Sequence, residues 1–77
     1  MIKELDIVVL KHEINECGLT EGDIGAVVHC YTEGNLYEVE FVTAEGKTIA
    51  VLTLTMDDIR LMKNKEILHV REIIHTF

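Results

Sequence analysis

Hydrophobic and polar residues alternate without interruption over residues 37–41. Three large apolar side chains are separated by two glutamates, which is the pattern of a strand with one dry face and one wet face. The apolar positions are Tyr37, Val39 and Phe41, and the acidic positions are Glu38 and Glu40. We predict a β-strand from Leu36 to Thr43, in an antiparallel sheet that turns its apolar face inward.

Four other stretches have the length and composition of strands. The three longer ones are apolar runs that contain β-branched residues, and the shortest can pair as a closing strand. These strands are predicted at Leu5–Lys11, Ile24–Tyr31, Thr48–Thr55 and Ile59–Met62.

Glycines mark the connections between the strands, because the chain contains no proline. Thr20–Asp23, Glu33–Asn35 and Ala44–Lys47 each hold the glycine of a tight turn. Gly25 lies just inside the second strand, where a missing side chain predicts a bulge or a close backbone approach.

Two connections lack that signal. The polar stretch His12–Leu19 is predicted to be a long loop with room for one helical turn. Met56–Arg60 is predicted to form a single 3₁₀ turn, with Asp57 or Asp58 as its cap.

Five short strands in 77 residues have few ways to bury their apolar faces. A small, strongly curved barrel is the arrangement that we predict, as one domain over residues 1–77 with its core in 4–62 and an extension in 63–77. Such a barrel leaves almost no interior space for a catalytic pocket.

The fourth strand and the extension carry more apolar side chains than a small core can bury. The fourth strand is apolar on both faces, and the extension fits either a helical stripe or a strand, of which we favour a strand over Glu66–Ile73. We predict a contact surface on the extension and on the outer face of the fourth strand. Its residues are Leu52, Leu54, Ile67, Leu68, Val70, Ile73, Ile74 and Phe77.

Charge is unevenly distributed along this acidic chain, whose net charge is -7. Residues 1–58 hold twelve acidic residues against three lysines, a balance of -9, whereas residues 59–77 have a balance of +2. An acidic body repels phosphate, so nucleic acid is not the expected partner. A basic protein or a second copy of the chain suits this distribution, although the charge also serves solubility alone.

The cysteines and the hydropathy indicate a cytoplasmic location. Two cysteines, Cys17 and Cys30, are fewer than a secreted disulfide scaffold normally carries, so both thiols are expected to be free. The first residues lack the apolar stretch of a signal peptide, and no apolar run approaches membrane-spanning length.

Residue patterns that carry chemistry are not found. The sequence contains no phosphate-binding glycine loop, dinucleotide fingerprint, nucleophile elbow or metalloprotease helix. Its four histidines have no spacing that suits a shared metal ion, and Glu38 and Glu40 lie on a solvated sheet face, which does not make a catalytic acid of a carboxyl group. We therefore expect no catalytic residue, no cofactor and no metal.

Four segments in fixed order carry a resemblance to a known family. They are Gly18–Val28, Tyr37–Val42, Val51–Leu54 and Glu66–Glu72. Over about residues 4–73 the chain resembles a small uncharacterised bacterial family, the domain of unknown function 4926. The resemblance implies an all-β, five-stranded SH3-like barrel, with the extension as an added strand or short helix, and implies no catalytic residue. Such families often lie in mobile gene neighbourhoods beside toxin-like partners, which implies an antitoxin-like or accessory role.

The function expected from the sequence is that of a non-enzymatic protein-interaction module that binds a protein partner or forms a homo-oligomer. The alternatives are a nucleic-acid-binding SH3-like module, which the acidic loops disfavour, and an accessory domain of an enzyme complex.

Overall fold

Five antiparallel strands form one sheet with the order β4-β3-β2-β1-β5 in this computed structural model, which describes residues 1–33 and 35–73. One 3₁₀ helix, η1, lies between the first two strands. The elements are β1 (Ile7–Leu10), η1 (Asn15–Cys17), β2 (Ile24–Cys30), β3 (Tyr37–Val42), β4 (Thr48–Leu54) and β5 (Ile59–Leu61). The all-β class and all five predicted strands are confirmed, and η1 supplies the helical turn expected in the loop before Leu19.

Buried side chains from every strand meet on one side of the sheet. The predicted alternation in β3 is confirmed, because Tyr37, Val39 and Phe41 are buried while the glutamates between them are half-exposed. The hydrophobic core consists of Ile2, Val8, Leu10, Leu19, Val27, Tyr37, Val39, Phe41, Leu54 and Ile59.

Gly25 allows β2 to lie close to this core. A Cβ atom at this position would lie 2.6 Å from Cγ1 of Val39 and 2.9 Å from Cε1 of Phe41, which is too near for any side chain. The predicted close approach is therefore confirmed, whereas the bulge in β2 lies further along, between Val27 and His29.

Carboxylates close the turns by a repeated local pattern. In the Thr20–Asp23 turn the Asp23 amide donates to the Thr20 carbonyl, the Thr20 amide donates to the Asp23 carboxylate at 2.8 Å, and Gly22 takes a φ of +94°. The Thr55–Asp58 turn repeats both hydrogen bonds, each at 2.9 Å. Asp58 thus provides the predicted cap of a single turn, which ends at Asp58 because Ile59 and Arg60 already belong to β5.

The prediction that Leu52 and Leu54 lie on the outer face of β4 is wrong. Leu54 is 7% exposed and belongs to the core, and Leu52 is partly buried against it. The register shifts between Phe41 and Val42, where Ile49 is the extra residue on β4, so Ile49 also packs against the core.

Up to Ile73, the last described residue, the extension forms neither the strand that we favoured for Glu66–Ile73 nor a helix. A turn at Lys63–Glu66 begins it, closed by the Glu66 amide at 3.2 Å from the Lys63 carbonyl. The residues after this turn are held by side chains and not by strand pairing. Ile74 and Phe77 lie outside the described residues, as does Gly34 of the predicted Glu33–Asn35 turn.

Candidate functional site

Residues 63–73, which we call the strap, run from the end of β5 to the Thr20–Asp23 turn. An ion pair fixes the beginning of the strap, where Nη1 and Nη2 of Arg60 donate to the Glu66 carboxylate at 2.9 and 2.6 Å. The Lys63 amide donates to the same carboxylate at 2.6 Å. These hydrogen bonds, from Arg60 above all, lower the pKa of Glu66 to about 2, so this carboxylate is ionised at neutral pH.

A second ion pair fixes the far end of the strap. Arg71 donates through Nε to the Asp23 carboxylate at 2.8 Å and through Nη2 to the other oxygen of the same carboxylate. Nη2 of Arg71 also reaches the Gly18 carbonyl at 2.9 Å. Because Asp23 belongs to the turn before β2, this bidentate pair joins the strap to a distant part of the chain.

The pKa of Asp23 reflects both burial and this pairing. Partial burial alone would raise the pKa of the carboxyl, but the hydrogen bonds from Arg71 and from the Thr20 amide outweigh burial and bring the pKa below the ordinary aspartate value. The pKa of Arg71 is raised by the same pair. Both groups are therefore charged at neutral pH and hold each other in place.

Apolar side chains on the strap face water between the two ion pairs. Ile67 is 89% exposed, Leu68 is 65% exposed and Val70 is 91% exposed. We call these three residues the strap patch. Their backbone is fixed by the two ion pairs, so the patch does not depend on burial in this chain for its position.

A groove of about 410 Å³ lies between the strap and the sheet. Leu19, Ile24 and Ile49 supply much of its apolar wall, and the Asp23–Arg71 pair lies at its border. Since these two charged groups are already hydrogen-bonded to each other, the groove offers an apolar cleft with a fixed ion pair.

The other interacting titratable groups link surface segments. His12 lies 2.7 Å from the Asp58 carboxylate and 3.0 Å from the Glu13 carbonyl, contacts that raise the pKa of His12, the Asp58 hydrogen bond most strongly. His29 lies 3.5 Å from Glu4. Among residues 1–33 and 35–73, no three metal-ligating side chains come together, and no helix is long and apolar enough to cross a membrane.

Only part of the predicted contact surface is brought together. Ile67, Leu68 and Val70 form the strap patch, and Ile73 is half-buried beside the groove. Leu52 and Leu54 point into the core and not toward this patch. The residues that sequence reasoning missed are those that position the strap, namely Asp23, Arg60, Glu66 and Arg71.

Lowering the pH is expected to release the far end of the strap. A carboxyl whose pKa is depressed by folding stabilises the folded state above its ordinary pKa of about 3.9, and this stabilisation is lost as the pH falls through the folded-state value. The stability difference between wild type and Asp23→Asn, measured by urea unfolding, should stay constant from pH 7 to 5 and shrink below about pH 4. A difference that is the same at pH 3 and pH 7 would show that the Asp23 carboxylate contributes nothing as a charge.

The fold and this site define a class of protein, a small all-β domain with one antiparallel sheet and an ion-paired C-terminal strap. The chain belongs to the family described as Domain of unknown function (DUF4926), which matches residues 4–61. The strap lies beyond the matched residues. No curated protein and no solved structure matches the chain significantly.

Proposed function

We propose that the protein is a non-enzymatic interaction module that binds another protein through the strap patch. The observation that supports this most is the exposure of Ile67, Leu68 and Val70 on a segment that two ion pairs hold in place. Large apolar side chains that are fixed and exposed together are typical of protein-binding surfaces. Because the strap is already ordered, a partner that binds it meets a smaller entropic cost.

Burial of the patch by a partner would contribute favourably to binding. Fully burying one Val, Leu or Ile side chain contributes about 1.5–3 kcal/mol, so the three residues together offer several kcal/mol before the cost of association. The adjoining groove adds apolar surface from Leu19, Ile24 and Ile49.

The charges support a basic protein as the partner. The net charge of -7 is concentrated before the strap, so a cationic surface would be attracted to the body while its apolar centre covers the patch. The same charge opposes phosphate and gives little support to a nucleic-acid-binding role. A cytoplasmic, antitoxin-like or accessory protein of a bacterial gene cassette, or an accessory subunit of an enzyme complex, would have use for such a surface.

We also propose that the sheet curves into an SH3-like barrel that stays open between β4 and β5, which do not pair with each other in the described part of the chain. The strand order places β4 and β5 at opposite edges, and the four-residue turn Thr55–Asp58 joins these two edge strands directly. A short connection between the outermost strands of one sheet favours the strong curvature of a small barrel. The one-sided core supports the same arrangement.

Affinity capture from the source organism tests the proposed function. Tagged wild type should retain a protein that the double variant Ile67→Ser/Val70→Ser does not retain. The matched control is Val28→Ser/Met56→Ser, which removes two exposed apolar side chains elsewhere and should retain the partner. With the purified partner, calorimetry should show affinity reduced about a hundredfold by the strap variant and unchanged by the control. Equal affinity for wild type and the strap variant would overturn the proposal.

A further inference from the structure

The outer edge of β4 presents unpaired backbone groups. The Tyr31 amide donates to the Leu36 carbonyl and the Thr43 amide donates to the Lys47 carbonyl. Along a strand, the backbone amide and carbonyl groups of successive residues face opposite neighbours. Since Leu36 bonds to the β2 side and Thr43 to the β4 side, the backbone groups of odd-numbered residues in β3 face β4.

The same alternation then assigns the backbone groups of β4. Residues 50, 52 and 54 are opposite Phe41, Val39 and Tyr37, so their amides and carbonyls face β3. Those of Val51 and Thr53 face away from β3, and within the described part of the chain β4 pairs with no other strand. Val51 is 48% exposed, and the side chain of Thr53 is also exposed.

This edge lacks the features by which sheet edges are usually protected from pairing. Residues 48–55 contain no charged residue, no proline and no glycine, and the bulge at Ile49 leaves residues 50–54 regular. The opposite edge, β5, is only three residues long and carries Arg60, which is bonded to the strap. The two edges of one sheet are thus protected very differently.

We infer that the outer edge of β4 is a self-association surface, on which β4 of a second copy pairs antiparallel about a two-fold axis at Leu52. In this register Val51 lies opposite the partner subunit's Thr53, and Thr53 lies opposite the partner subunit's Val51. Each of these two pairs exchanges two backbone hydrogen bonds. The result is a continuous sheet of ten strands.

A second copy suits this edge because the pairing is self-complementary and brings no like charges into contact. The residues that meet are Val51, Leu52 and Thr53, and an antiparallel strand pair satisfies two-fold symmetry by itself. The nearest acidic residues across the axis are Glu40 and the partner subunit's Glu38, which flank the two central strands. Their Cα atoms are three strand spacings apart, roughly 14 Å. The carboxylate of Glu38 accepts a hydrogen bond from the Thr53 hydroxyl at 2.8 Å, so it is already bonded within its own chain.

This inference deepens the self-association that the charge distribution and apolar surface suggest, and it does not depend on the strap patch. Experiments can therefore reject the proposal for the strap patch and the proposal for the edge of β4 independently. Loss of partner binding by the strap variant with an unchanged dimer would support both proposals, whereas an unchanged partner affinity would reject the strap alone.

Sedimentation equilibrium at physiological salt tests the β4 dimer. The apparent mass of the wild-type protein should rise with concentration from the 8.8 kDa of a monomer toward twice that mass. Val51→Pro removes the backbone amide that faces the outer edge and leaves the hydrogen bonds between β4 and β3 in place. Two-fold symmetry means that the dimer loses two hydrogen bonds. The dimer dissociation constant should therefore rise about tenfold or more. Val51→Thr, which keeps the amide, and Ile67→Ser/Val70→Ser should dimerise as wild type does. A wild-type monomer at every soluble concentration, or an unchanged constant for folded Val51→Pro, would overturn the inference.

Disulfide trapping tests the register even if Val51→Pro fails to fold. In a background where Cys17 and Cys30 are replaced by alanine, chains with Val51→Cys are mixed with chains carrying Thr53→Cys. Opposed residues of a hydrogen-bonded pair lie about 5.5 Å apart between Cα atoms, within the range of a disulfide. The mixture should oxidise to a cross-linked heterodimer, and Val51→Cys mixed with Met56→Cys should not. Equal cross-linking of the two mixtures would overturn the register.

Discussion

Replacing Phe41 by alanine is expected to lower the free energy of unfolding by about 3–5 kcal/mol. Phe41 is 2% exposed at the centre of β3, and its ring contacts the position where Gly25 lets β2 approach. A domain of 77 residues has a stability of roughly 4–12 kcal/mol, so this one change removes a large part of it. Urea unfolding followed by circular dichroism measures the loss.

The neighbouring residue supplies the control for this prediction. Val42 follows Phe41 in β3 but is exposed, so Val42→Ala should cost much less, within about 1 kcal/mol. Equal costs for the two variants would show that β3 does not turn its alternate residues into the core.

The second large effect is expected from Gly25→Ala, which should cost about 1–3 kcal/mol by overpacking. The added methyl group would lie 2.6 Å from Cγ1 of Val39, so β2 and β3 must move apart. Gly25 has no positive φ, which means that the cost comes from crowding and not from backbone strain.

A double-mutant cycle separates crowding from other causes. Val39→Ala removes the Cγ1 atom that the new methyl group would meet, although it creates a cavity of its own. The double variant Gly25→Ala/Val39→Ala should therefore cost at least about 1 kcal/mol less than the two single changes added together. Strictly additive costs would contradict a contact between these positions.

Strands could be predicted from the sequence where local pattern and burial agree. In β3 the strict alternation assigned each residue to a face, and the structure has the same assignment. The predicted ends of β1, β2 and β5 agree with the observed ends to within two residues, because these strands end close to polar or turn-forming residues.

Which residues of β4 point into the core could not be predicted, because the sequence of this strand is apolar on both faces. Without polar residues at every second position, the sequence does not show which alternate residues are buried. The bulge at Ile49 also changes which residues face the core at the beginning of the strand. Leu52 and Leu54 were therefore placed outside, whereas the pairing of Val39 with Leu52 turns both residues inward.

The strap was mispredicted because its position depends on contacts between residues far apart in sequence. Its β-branched residues favoured a strand, but Arg71 is held by Asp23, 48 positions earlier. Local propensity contains no information about such a pair. A partial signal was present in the spacing of Thr20 and Asp23, which Thr55 and Asp58 repeat, since both mark turns closed by a carboxylate.

The most direct test of the strap patch is the stability of Ile67→Ser/Val70→Ser in the absence of any partner. If these side chains face water beside a complete core, as their exposures of 89% and 91% indicate, the free energy of unfolding should stay within about 0.5 kcal/mol of wild type. A loss of about 2 kcal/mol or more would show that they pack into the fold and would contradict the assignment of this surface to a partner.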